Sequence, residues 1–258
     1  MKLRNARILA GASLLVLGLV GSGVAVDLQS LPEIDAVVDA RLPLPTDGVR
    51  GLLFEQDSVV LLATSNRGLS APDSSFQASL MRWQASSGNL RVLSTQSDEF
   101  ETGLASDGEN WWSSGSLLGV SSGIYQISPG SGKVLATLAA PGHHPGGIAY
   151  DGLYLWVVDC DARNILRVDT EEGRVSKKVS APAFYPTGLA YDGYHFWSAD
   201  ASTGRLYRLS GTTGRRDAVI AKDAFYRPGE FVSLSWDGKG LWTVAASDSE
   251  AARLQILR

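Results

Sequence analysis

The sequence predicts an all-β protein built from five repeated, four-stranded antiparallel units, and three observations carry that prediction. First, a short apolar run recurs: Gly103-Leu104-Ala105-Ser106-Asp107-Gly108, Gly147-Ile148-Ala149-Tyr150-Asp151-Gly152 and Gly188-Leu189-Ala190-Tyr191-Asp192-Gly193. Ser233-Leu234-Ser235-Trp236-Asp237-Gly238 is a degenerate fourth copy, and Gly51-Leu52-Leu53-Phe54-Glu55-Gln56 a divergent first one. Second, the Asp-Gly pairs lie 44, 41 and 45 residues apart, the period of a four-stranded propeller blade. Third, no stretch after the N-terminal segment keeps a helical apolar period for ten residues. Five such copies describe a five-bladed β-propeller, whose closure into a ring hides the sheet edges that an open stack would leave exposed.

Each unit follows one grammar. The first run ends in Asp-Gly, read as supplying the positive backbone dihedrals of a tight hairpin turn. A second run follows, such as Leu155-Trp156-Val157-Val158 or Phe196-Trp197-Ser198-Ala199. After a polar stretch comes a third, Ile124-Tyr125-Gln126-Ile127, Ile165-Leu166-Arg167-Val168 or Leu206-Tyr207-Arg208-Leu209. A turn ending in Gly88, Gly132, Gly173 or Gly214 leads to a fourth alternating run. These runs are short, rich in β-branched and aromatic residues, and bounded by turn formers, as strands are. An insertion around Asn66 to Ser75 lengthens the first unit.

The last unit ends after three runs, the third read as Arg253 to Leu257. Residues Ala36 to Leu44, ahead of the first unit, resemble a fourth run. The N-terminal strand is therefore expected to complete the last blade and join the two ends of the ring. Trp112, Trp156, Trp197 and Trp242 recur at one place in the second run, with Val60 there in the first unit. A position repeated blade after blade points to packing between blades rather than to a ligand.

Residues 1–25 read as an export signal preceding a single domain, 26–258. Lys2, Arg4 and Arg7 precede Ile8 to Val26, 19 residues without a charge, and Gly23-Val24-Ala25 offers small residues for cleavage before Val26. The alternative is an uncleaved membrane anchor, since this length just spans a bilayer. Either way the body is expected in the periplasm or outside the cell. The single cysteine, Cys160, leaves no internal disulfide, and its neighbours Asp159 and Asp161 oppose a reactive thiolate. A formal net charge of −4 without a basic run argues against a nucleic-acid partner.

Propeller topology places the loops entering the innermost strands on one face with the loops between second and third strands. That face is predicted to carry Arg50, Glu101, His143, His144, Tyr185, Tyr226, Arg227 and Glu230. Such a mixed charged and aromatic rim suits a small polar molecule, a peptide end, a sugar or a protein partner. The inter-strand loops are read as Ser65 to Gln77, Ser113 to Ser122, Asp159 to Asn164, Asp200 to Gly204 and Ser247 to Ala252. Asp159 and Asp200 are read as turn-holding residues rather than calcium ligands, and no metal or cofactor is expected. Phosphate-binding glycine loops, G-x-S-x-G and H-E-x-x-H are absent.

The repeat Gly147 to Asp159, followed by Asn164-Ile165-Leu166-Arg167-Val168-Asp169, resembles that of secreted bacterial propellers of the glutamine cyclotransferase-like and NHL-like groups. The opening blade is similar to the cyclotransferase one in Gly51-Leu52-Leu53-Phe54, Thr64-Ser65, Ser79-Leu80-Met81-Arg82 and Ser87-Gly88. That resemblance implies cyclisation of an N-terminal glutamine with release of ammonia, using carboxylates and tryptophans at the channel mouth. The positions implied for this chemistry are changed: Arg50 stands for a glutamine, Thr102 for a glutamate, Gly146 for a tryptophan and Val232 for an asparagine. Glu101, one place early, is the best remaining general acid/base, with Glu230 second and Trp112 a wall residue if exposed. Two functions are therefore expected to compete: a non-catalytic binding module, and a glutaminyl-peptide cyclotransferase. A lactonase-type hydrolase would need a metal-binding cluster of acids that the sequence does not assemble.

Overall fold

The computed structural model describes residues 31–55, 58–65, 77–96, 102–117, 121–220 and 227–257. They form twenty strands and, among the described residues, no helix. Strand β1 (Ala36–Pro43) comes first. Blade one is β2 (Val49–Glu55), β3 (Ser58–Ser65), β4 (Gln77–Gln84) and β5 (Asn89–Gln96). Blade two is β6 (Thr102–Ser106), β7 (Trp111–Leu117), β8 (Ser121–Ile127) and β9 (Val134–Ala139). Blade three is β10 (Pro145–Tyr150), β11 (Leu155–Asp159), β12 (Asn164–Val168) and β13 (Val175–Ser180). Blade four is β14 (Pro186–Tyr191), β15 (His195–Asp200), β16 (Arg205–Ser210) and β17 (Arg216–Ile220). Blade five takes β18 (Val232–Trp236), β19 (Leu241–Ala245) and β20 (Glu250–Ile256) from the C-terminal end and β1 from the other.

The fold is the five-bladed propeller expected, closed as expected. Strand β1 runs antiparallel to β20, pairing Ala36 with Ile256 and Pro43 with Glu250. Ahead of it, Ile34 donates to Val219 O and Val219 donates to Pro32 O, so the incoming chain also lines the outer edge of blade four. Side chains reinforce the seam. Arg253 on β20 grips Asp39 of β1 at 2.9 and 3.1 Å and reaches Asp237 at 3.2 Å. Arg41 pairs with Glu250.

Five apolar clusters fill the five gaps between blades. Trp112 packs with Ile148 and Leu155 of blade three, Trp156 with Leu189 and Phe196 of blade four, and Trp197 with Leu234 and Leu241 of blade five. Trp242 packs with Leu52 and Val59 of blade one. The recurring tryptophans are thus inter-blade cores, all buried. In blade one the position is Val60, and the space is filled from the other side by Trp111 of blade two, which shares a cluster with Val60 and Leu62. Every gap holds at least one large indole whichever blade provides it, because a cavity of that size would be costly.

The Asp-Gly pairs do more than turn the chain. Only the glycine has a positive φ, +96° at Gly152 for example; the aspartate does not, which corrects the expected turn geometry. The aspartate acts through its side chain. Asp151 Oδ1 accepts from the Leu153 and Tyr154 amides, and Oδ2 accepts from Trp156 Nε1 at 2.6 Å. Asp107 with Trp112, Asp192 with Trp197 and Asp237 with Trp242 repeat the arrangement. In blade one Glu55 takes the aspartate's place and accepts from Trp111 Nε1 at 2.7 Å. The indole N–H groups of Trp111, Trp112, Trp156, Trp197 and Trp242 are thereby satisfied.

Burial alone would raise the Asp237 carboxyl, but hydrogen bonds from Trp242, the Gly240 and Lys239 amides and Arg253 hold it below the usual carboxylate range. A depressed native pKa contributes stability above the unfolded value, lost as pH falls through the native one. Asp237→Asn should therefore destabilise the protein near neutral pH, and the difference from wild type should shrink as pH drops below about 4. Urea midpoints across that range measure this; a pH-independent difference would contradict it.

Candidate functional site

Backbone hydrogen bonds fix which loops share a face. The amides of Thr64, Cys160, Ala201 and Ala246, at the ends of second strands, donate to Gly48, His144, Tyr185 and Phe231, at the starts of innermost strands. The two loop sets therefore meet, as topology predicts. Two loops are shorter than expected. Most of Ser113 to Ser122 belongs to β7 and β8, and β20 begins at Glu250 rather than Arg253. In both cases cross-strand pairing extends through small, polar residues that resemble a loop in sequence.

On this face three groups form. Between blades three and four, His144 Nδ1 lies 3.4 Å from Asp161 Oδ1 and 3.3 Å from the Tyr185 hydroxyl. Phe184, half exposed, lies under the Arg163 guanidinium. Between blades five and one, Arg50 Nε donates to Thr64 Oγ1 at 3.0 Å, and its guanidinium lies 5.2 Å from the Phe231 ring centre. In blade five, Glu230 Oε1 accepts from Ser247 at 2.8 Å and Oε2 from the Arg227 amide at 3.4 Å. His143 contributes its carbonyl to Ser122 Oγ at 2.8 Å. Glu101 and Tyr226 lie outside the described residues.

Electrostatics tie these groups together. Burial, then the Cys160 thiol and the Asp161 carboxylate, push the Tyr185 phenol up, while Arg50 opposes them. Burial also raises Asp248, aided by Glu230 and Glu250 and opposed by the Asp248–Ala245 hydrogen bond and by Arg227. Asp161, Arg163, Phe184, Phe231 and Asp248 were not singled out as rim residues in the sequence. Arg163 carried a signal. It is the only non-glycine with a positive φ, +56°, among the described residues, and it occupies the place that Gly204 holds in blade four.

In the innermost ring below these loops neighbouring blades are bonded directly to one another. Thr102 Oγ1 is buried 3.1 Å from Pro145 O and 3.0 Å from Ser114 Oγ, and Ser114 Oγ also donates to Gly146 O. Thr187 Oγ1 contacts Val232 O at 3.3 Å, and Val232 is fully buried. Glycines permit this closeness: a Cβ on Gly103 would sit 2.9 Å from the Ile148 amide. Three of the positions where the resemblance implies reactive side chains, 102, 146 and 232, thus hold groups spent on joining blades. Trp112 is no pocket wall. It is buried between blades, and its indole N–H is bound to Asp107 at the opposite end of the strand.

Asp159 and Asp200 hold turns. Asp159 Oδ1 accepts from the Ala162 amide, and Asp200 accepts from Thr203, Ser202 and the Tyr185 amide. No group of three His, Cys, Asp or Glu suited to a metal occurs among the described residues. Cys160 is buried, and desolvation, then Asp159 and Asp161, push its thiol up to about 12. It should resist a thiol-modifying disulfide reagent in the native state and react fully in denaturant; rapid native labelling would refute this placement.

No protein-family model matches the chain, and no curated protein matches its sequence. Among solved structures, a glutaminyl cyclase from Myxococcus xanthus superposes with a TM-score of 0.67 at 14% identity, over 88% of this chain and 100% of that one. The nidogen/laminin complex includes a chain that superposes with a TM-score of 0.56 at 21% identity, over 78% and 73%. The class is thus a five-bladed β-propeller similar in fold to glutaminyl cyclase; at these identities the likeness concerns the fold.

Proposed function

We propose that the protein is an exported, non-catalytic propeller that binds a small polar ligand, a peptide end, a sugar or a protein partner on the face carrying Arg50, His143, His144, Tyr185, Arg227 and Glu230. The observation supporting it is the use made of three inner-strand positions: Thr102, Gly146 and Val232 are buried and engaged between blades, so they offer no proton shuttle to a substrate. Cyclisation of glutamine needs an acid/base group within hydrogen-bond reach of amine and amide. The rim above retains what recognition needs: a histidine between a carboxylate and a phenol, arginines and exposed aromatic surface. The N-terminal charge pattern supports export.

A second reading, a glutaminyl-peptide cyclotransferase, is supported by the fold likeness to glutaminyl cyclase and would rest on Glu101 and Glu230. Incubating the protein with a glutamine-leading peptide and weighing the product separates the two. Unchanged mass is expected; loss of ammonia, abolished by Glu101→Gln, would establish the enzyme instead.

A further inference from the structure

One turn on the rim face is built against its own backbone preference, and it narrows the ligand of the binding reading above, on which this inference rests. The turns after the second strands of blades three and four are alike. Asp159 Oδ1 accepts from the Ala162 amide as Asp200 Oδ1 does from the Thr203 amide, and each turn ends on a left-handed residue just before the third strand. In blade four that residue is Gly204, φ +63°; in blade three it is Arg163, φ +56°. Glycine takes this conformation without strain and arginine does not. The turn holds Arg163 there: Asn164 Nδ2 donates to Ala162 O at 2.8 Å, and the Ala181 amide donates to Arg163 O at 2.8 Å.

The side chain placed this way meets an exposed ring. The Arg163 guanidinium lies 5.6 Å from the ring centre of Phe184, which is 53% exposed and adjoins Tyr185, 37% exposed. The segment carrying both rings is pinned. The Tyr185 amide donates to Asp200 Oδ2 at 2.6 Å, Tyr185 O accepts from the Ala201 amide at 2.8 Å, and Arg216 donates to Pro182 O. Arg163 is itself exposed, so its strained backbone gains no core packing. Strain of that kind points to a contact made outside the fold.

Charge sets what this patch can take. Among the described residues the Arg163 guanidinium has no hydrogen-bond or ion-pair partner, and contact with a ring face uses none of its N–H donors. The neighbouring carboxylates are engaged elsewhere: Asp161 lies 3.4 Å from His144, and Asp159 and Asp200 hold turn amides. Arg50 adds positive charge that reaches the Tyr185 phenol. A planar carboxylate matches the guanidinium fork, and an apolar group beside it would cover the exposed rings. We propose that Arg163, Phe184 and Tyr185 bind a carboxylate flanked by an apolar side chain, whether of a peptide's C-terminal end or of a free acid.

The test is a titration of the full chain with N-acetylphenylalanine, with its neutral amide, and with a tetrapeptide ending in phenylalanine, followed by amide chemical shifts. Saturable shifts are expected at 163, 184 and 185, with the neutral amide weaker by about tenfold. A tetrapeptide that binds at least as tightly as the acetylated residue assigns the patch to peptide ends; a much weaker one assigns it to free acids. Arg163→Gly should weaken the carboxylates by about tenfold while its melting temperature holds or rises by about 2–4 °C, because the turn loses its strain. An arginine kept only for packing on Phe184 would give the reverse, a lower melting temperature with binding unchanged. Absence of saturable shifts at these residues, equal affinity for the neutral amide, or undiminished binding by Arg163→Gly would overturn the proposal. These readouts need no turnover, so they stand apart from the loss of ammonia that would overturn the non-catalytic reading.

Discussion

Deleting residues 31–44 should lower the melting temperature by about 10–20 °C, the largest stability effect the structure implies. Strand β1 supplies the outer strand of blade five, and the residues before it line blade four. Its inward side chains join two different inter-blade clusters: Ala36 and Val38 pack between blades four and five, Ala40 and Leu42 between blades five and one. Losing them removes apolar burial at two seams. At about 25 cal/mol per Å², and after the entropy of ordering the strand is set against it, the net loss is on the order of 5 kcal/mol. Arg253 would also lose Asp39, the hydrogen-bond partner that most raises its pKa. A synthetic peptide spanning 31–44 should restore part of the transition. A deletion variant melting within a few degrees of the intact chain would show that the seam lies elsewhere.

Trp197→Ala should cost about 3–5 kcal/mol, the second large effect. The indole is fully buried between blades four and five, against Ala36, Val232, Leu234 and Leu241. Truncation leaves a cavity in a seam and strips Asp192 Oδ2 of its 2.9 Å donor. Trp197→Phe keeps most of the apolar contact and loses the N–H, so it should cost less, about 1–2 kcal/mol. Guanidinium midpoints for the pair separate packing from hydrogen bonding. Equal losses would place the whole effect in the Asp192 bond, and a loss below about 1 kcal/mol for the alanine variant would contradict the inter-blade role.

The features legible in the sequence were those set by period. Repeated apolar runs revealed the blades, and the extra run Ala36 to Leu44 ahead of the first unit pointed to the closing strand that pairs with β20. The Asp-to-Trp bond was legible in principle: Asp107/Trp112, Asp151/Trp156, Asp192/Trp197 and Asp237/Trp242 all stand five apart. The exchange of Val60 for Trp111 was not legible, because it compensates across two blades and no single repeat displays it. The rim was the least readable region. Loops carry no period, so His144, Asp161 and Tyr185 come together only through strand ends 17 and 41 residues apart in the chain. Arg163 would have stood out from aligning its loop with Gly204, since an arginine at a glycine's left-handed position costs stability.

The ring closed by its first strand is the claim from which the rim and the inter-blade cores both follow. Native-state hydrogen exchange of the full chain tests it most directly. Those amides of 37–42 that are bonded to β20 should exchange together with the bonded amides of β18 to β20, at a rate set by unfolding of the whole ring. Exchange of 37–42 far ahead of blade five, with the rest protected, would mean that the N-terminal strand is not the closing element.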